Sequence, residues 1–100
     1  MKNVPDTSMT AFADTESRRE TNMRAVLDAM RSMGRGDASD VQAWLIADRR
    51  FINIYEVRRR LSDLANQRLI LDSGVRSRSG ENGRPTIVWR VNLEKQGSLF

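Results

Sequence analysis

Apolar positions recur with two different periods along this chain. Met23, Val26, Leu27, Met30 and Met33 are spaced three or four apart, which lines one face of a helix. Ser17 and Glu20 have the S-x-x-E spacing of a capping box, and Gly34 and Gly36 end the pattern, so the first predicted helix starts at Ser17 and stops at the glycines. A second, shorter helix is predicted over "ASDVQAWLIAD", with Ser39 as its cap, Gln42 as the capping-box partner, and Val41, Trp44 and Leu45 facing inward. Residues 48–52 make a tight connection in which Phe51 and Ile52 are expected to pack on the core. A third helix is predicted over "NIYEVRRRLSDLANQRLI", with Asn53 as cap and Glu56 at the capping-box position. Its inner stripe is Ile54, Val57, Leu61, Leu64 and Ala65. At 100° per residue the opposite face carries Tyr55, Arg59, Ser62, Asp63 and Asn66, with Glu56 beside them and Arg58 and Arg60 on the flanks.

Beyond Leu69 the helical period stops. "LILDSGVR" reads as a strand, "SRSGENGR" as a polar loop, and "PTIVWRVN" as a second strand with Ile87, Trp89 and Val91 on one face. Pro85 lacks an N–H and fits only at that strand's start or edge. The pair makes a β-hairpin with a long basic tip. The N-terminal residues mix polar and apolar types without period and read as a disordered tail. The expected organisation is a tail over 1–16, one domain over 17–91, and a short tail over 92–100. The fold class is α+β.

Composition narrows the chemistry. The 100 residues include no cysteine and no histidine. Disulfides, zinc sites, Ser-His or Cys-His catalysis and histidine switches are therefore excluded. The 13 acidic residues are scattered, with no apolar pocket around a pair, so an enzyme is the class least supported and no cofactor is expected. No apolar run reaches the length of a membrane span and no signal-like segment opens the chain, so a soluble, cytoplasmic protein is expected. Basic residues outnumber acidic ones by four, and 15 of the 17 are arginine. Arginine grips phosphates and guanine edges bidentately. The surplus is +4 over residues 17–71 and +2 over 72–91, where the predicted elements lie. An arginine-rich composition is also what a GC-rich genome produces.

Helix, short helix, helix, strand, basic loop, strand is the order that resembles a winged helix-turn-helix domain. The residues that carry the resemblance are "DASDVQAWL", "NIYEVRRRLSDLANQRLI" and "GRPTIVWRV". Val57, Leu61 and Leu64 fit the family's V-x-x-x-L-x-x-L recognition-helix pattern, and "GRP" is a frequent wing feature. The family often has glycine before Leu-Ile at that helix's end; here Arg68 stands there, so Arg68 must be left-handed or the helix must end differently.

The resemblance implies three helices followed by a two-stranded wing, double-stranded DNA as partner, and transcriptional regulation as the role. The helix over 53–68 would enter the major groove and the wing over 74–85 would reach the adjacent backbone or minor groove. Tyr55, Glu56 and Arg59 are then candidates for base or phosphate contact, with Arg58 and Arg60 on flanking phosphates. Asn53 would cap the helix and offer its N-terminus to a phosphate, Arg49 and Arg50 would add contacts from the turn, and Arg76, Arg78 and Arg84 from the wing.

The competing reading makes residues 58–60 an ordinary solvated face with Glu56 paired to Arg59 or Arg60, and the fold a protein-interaction module that inhibits or recruits a partner. Leu99 and Phe100 would in that case dock on a partner or a second copy.

Overall fold

A computed structural model describes residues 3–78 and 80–94, and side chains from Arg18 onward except that of Glu81. Three helices, α1 (Asn3–Met33), α2 (Ala38–Ala47) and α3 (Ile54–Asn66), share one core with strands β1 (Arg35–Gly36), β2 (Ile70–Ser77) and β3 (Thr86–Val91). The sheet is antiparallel with strand order β1-β3-β2. It has one strand more than the hairpin expected from sequence: the chain leaving α1 pairs Arg35 with Arg90 and Gly36 with Trp89. Two residues are too few to show an alternating pattern, and "GRG" reads as a helix stop.

The predicted apolar stripes build the core. Val26 and Met30 of α1, Val41 and Leu45 of α2, and Val57, Leu61 and Leu64 of α3 are buried, with Ile70 and Val91 of the sheet. Trp44, Ile52 and Trp89 pack against this cluster from its margin. Phe51 does not, being 78% exposed. Residues 51–53 have no regular structure, so neighbouring side chains diverge. Gln42 Nε2 donates to the Ile52 carbonyl at 3.1 Å, which holds Ile52 inward and leaves Phe51 outside.

Helix starts differ from the sequence reading in two places. The backbone of α1 is already helical at Asn3, through the residues read as a tail, so Ser17 and Glu20 lie mid-helix. Pro5, the one helix breaker there, falls in the first turn, where its missing N–H has no partner to lose. Helix α2 is capped by Asp37, not Ser39. The Asp37 side chain accepts from the Asp40 N–H at 2.9 Å, and Asp40 accepts from the Asp37 N–H at 3.1 Å. The capping box is thus present two residues earlier, built from two aspartates. The cap of α3 is Asn53, whose Oδ1 accepts from the Glu56 N–H at 2.9 Å.

Both α2 and α3 end on a left-handed arginine. Arg49 (φ 61°) and Arg68 (φ 62°) occupy the position that glycine usually fills. After each, the chain makes the paired closing bonds of a Schellman motif, Arg50 N–H to Leu45 O (2.8 Å) with Arg49 N–H to Ile46 O (2.9 Å), and Leu69 N–H to Leu64 O (3.0 Å) with Arg68 N–H to Ala65 O (2.9 Å). Asn92 Nδ2 also donates to the Arg68 carbonyl at 2.8 Å, tying this turn to the end of β3.

The β2–β3 hairpin is irregular in the middle. Asp72 faces Trp89 and Arg76 faces Ile87, so β2 carries extra residues between them. Gly74 takes up the kink with φ 86°, and Ser73 Oγ fills the gap by donating to the Val88 carbonyl at 2.5 Å. At the tip, Asn82 and Gly83 are both left-handed, the pattern that Asn-Gly supplies at little steric cost. No described helix is long and apolar enough to cross a membrane.

Candidate nucleic-acid interface

The base of the hairpin is fixed to the start of α2 through a buried acid. Asp37 is 1% exposed. Its Oδ2 accepts from the Ser77 hydroxyl at the end of β2 and from the Thr86 hydroxyl at the start of β3, the latter at 3.2 Å. Ser77 Oγ and Thr86 Oγ1 lie 2.8 Å apart, so one of the two hydroxyls can donate to the other in place of the carboxylate. One carboxylate therefore caps a helix and clamps both strands of the hairpin where its loop begins.

This clamp sets the hairpin beside α3. Between them lies a cleft of about 370 Å³, lined on the helix side by Arg58, Leu61 and Ser62 and on the hairpin side by Arg84, Ile87 and Trp89. Two of the predicted arginines, one from each element, thus line the same cleft over an apolar floor. Among the described residues neither makes a salt bridge; Arg58 lies over the Tyr55 ring, 5.8 Å from its centroid.

The other predicted residues divide. Arg59, Arg60, Asn53 and Glu56 line a second cleft of about 410 Å³ between α3 and α1, together with Arg18, Arg19 and Asn22. Sequence alone does not single out Arg18 and Arg19, because a helix starting at Ser17 makes them first-turn residues with no partner surface. Arg49, Arg78 and Arg84 are exposed. Among the described residues Arg49, Arg59 and Arg78 also make no salt bridge.

Four predicted contacts, Glu56, Arg60, Arg50 and Arg76, are engaged within the protein. Arg60 is 4% exposed, so it is not on a flank facing solvent. Its guanidinium lies 3.6 Å from Glu56 and 3.3 Å from Asp63, and Asn22 donates to the same Glu56 at 2.9 Å. The helical wheel put Arg60 at the stripe's margin, and packing of α1 against α3 covers that margin. Glu56 is therefore held by α1 and Arg60. Arg50 pairs with Asp48 at 2.7 Å and Asp28 at 3.3 Å and lies over Trp44; the Asp48 contact, chiefly, raises its pKa.

Arg76 grips Asp72 with both ends of its fork, at 2.9 Å each. That grip, with the Gly74 N–H, holds the Asp72 carboxyl below its ordinary value of 3.8. The pair is formed at neutral pH and is lost only as the pH falls through that lowered pKa. The C-terminal Leu99 and Phe100 lie outside the described residues. Compared with protein families, curated proteins and solved structures, the chain matches none.

Proposed function

We propose that this chain is a winged helix-turn-helix protein that binds double-stranded DNA in a sequence-specific way and acts in transcriptional regulation. In this reading α2 and α3 are the helix-turn-helix, α3 is the recognition helix, and the β2–β3 hairpin is the wing. The observation that carries the reading is the shared cleft of Arg58 and Arg84. A DNA strand passing from the major groove at α3 to the minor groove under a wing would present its phosphates along that line. Arg49, Arg59 and Arg78, which make no salt bridge among the described residues, add positive charge on the turn, the helix and the hairpin. A second reading, in which the same fold docks on a protein, draws on one feature: Phe51 is left exposed in the turn before α3.

The test is binding to a mixed-sequence DNA duplex by fluorescence anisotropy, from about 50 mM to about 200 mM salt. The wild type is expected to bind at about micromolar Kd at low salt and to weaken steeply as salt rises. Arg58→Ala/Arg84→Ala is expected to bind more weakly and to flatten the log–log salt slope by about two, roughly one for each phosphate no longer neutralised. A folded wild type that binds no duplex at low salt would overturn the reading.

The Asp72–Arg76 pair makes a second expectation. Asp72→Asn removes one negative charge from the hairpin and releases the Arg76 fork. Its affinity for the same duplex is expected to rise about threefold, with a slope steeper by up to about one unit, while Arg76→Ala changes little. An unchanged or weaker affinity of Asp72→Asn would mean that Arg76 does not face DNA.

A further inference from the structure

The turn before α3 carries an apolar feature that the arginines do not explain. Phe51 is 78% exposed and Tyr55 is 71% exposed, four residues apart across the Asn53 cap. The other described aromatics, Trp44 and Trp89, pack against the core. A phenyl ring kept in water gives up burial that core positions would supply. The Tyr55 ring is positioned, and Phe51 lies just ahead of the cap that starts its helix. Asn53 fixes the start of α3 between them, and the Arg58 guanidinium lies over the Tyr55 ring.

Their surroundings select the partner. Arg49, Arg58 and Arg59 supply unneutralised positive charge, while the nearby acids are already taken: Asp48 by Arg50, and Glu56 by Asn22 and Arg60. The partner must be anionic and must also offer small apolar groups to two aromatic rings. The DNA major groove meets both needs, because each thymine projects a C5-methyl there between two rows of phosphates.

Resting on the DNA reading above, we infer that Phe51 and Tyr55 are specificity residues that read thymine methyl groups beside the bases reached by α3. Four residues of chain separate their Cα atoms by no more than about 14 Å, so the methyls they read belong to one short stretch of the site.

Deleting only the methyl tests this. Selection from a random-sequence duplex library with the full chain gives a preferred site. That site is then remade with deoxyuridine in place of thymidine, which leaves every hydrogen-bonding edge intact. The wild type is expected to lose about fourfold in affinity per methyl contacted. Phe51→Ala and Tyr55→Ala are expected to bind the thymidine site more weakly by a similar factor and to lose the response at their own methyl. Their salt slopes stay at the wild-type value. Both side chains are exposed, so the variants keep the wild-type circular dichroism.

Equal binding of the two duplexes by wild type overturns the inference, as does a methyl response that survives in both variants. Steeply salt-dependent binding with no preferred site also overturns it, and leaves DNA binding standing without the sequence specificity proposed above. No binding to any duplex removes both, and points Phe51 toward an acidic protein surface.

Discussion

Replacing Asp37 with alanine is expected to destabilise the protein by about 3 kcal/mol, more than any single surface change. Two losses combine. The N-cap of α2 disappears, and losing such a cap costs about 1–2 kcal/mol. The Ser77 and Thr86 hydroxyls lose a shared acceptor in a buried place, and stranding a buried polar group costs about 1–3 kcal/mol. The two hydroxyls can still bond each other, which keeps the sum toward the lower end. In urea the midpoint should fall with little change in slope, and the melting temperature should drop by more than about 10 °C, at roughly 4–8 °C per kcal/mol for a domain this size. Asp37→Asn keeps an acceptor oxygen and should cost about 1 kcal/mol. If Asp37→Ala proved no worse than Asp37→Asn, the clamp would contribute little. Coupling between Asp37→Ala and a Ser77→Ala/Thr86→Val background measures the hairpin's share directly.

Arg60 is the second position of large expected effect. Arg60→Ala removes the buried cation that Glu56 and Asp63 share on α3 and is expected to cost about 3 kcal/mol, kept to that size by Arg19 of α1, which stays 3.7 Å from Asp63. Arg60→Met should cost under about 1 kcal/mol, because the pairing is incomplete: Arg60 Nε and Asp63 Oδ2 are buried without a hydrogen-bond partner. Thermal melts of the two variants distinguish a packing role from an ionic one. DNA affinity of Arg60→Met should equal that of wild type, since its guanidinium is engaged by Glu56 and Asp63 and only 4% of the residue is exposed; a large drop would restore Arg60 as a contact.

The residues that were legible in the sequence and those that were not differ in kind. The inner stripe of α3 was readable because Val57, Leu61 and Leu64 repeat with the helix, and all three are buried. The Asn53 cap was readable because it is decided by its immediate neighbours, whereas the resemblance left open whether Arg68 is left-handed or the helix ends differently, and the structure shows it left-handed. Asp37 was missed because its role is shared: it caps locally, and its second set of partners lies 40 and 49 residues away. Ser39 offered an equally good local signal. Arg60 was missed for a similar reason. A helical wheel shows which side of α3 is apolar but not how much of its margin α1 will cover.

Of the candidate interface, the residue types and the two elements came from sequence. That Arg58 and Arg84 meet across one cleft, while Arg50 and Arg76 are held by aspartates, required the tertiary arrangement.

The left-handed arginines at 49 and 68 have a consequence for how this chain can change. Each sits where glycine would relieve about 1 kcal/mol of steric strain, offset in part by glycine's greater freedom when unfolded. A drift toward glycine is therefore open at both places and requires no compensating change elsewhere. At position 68 the substitution gives up a charge at the far end of α3 from its Asn53 cap. At position 49 it gives up one in the turn that leads into that cap. The two sites share one backbone geometry, so the same substitution at each separates what the turn requires from what the arginine's charge contributes.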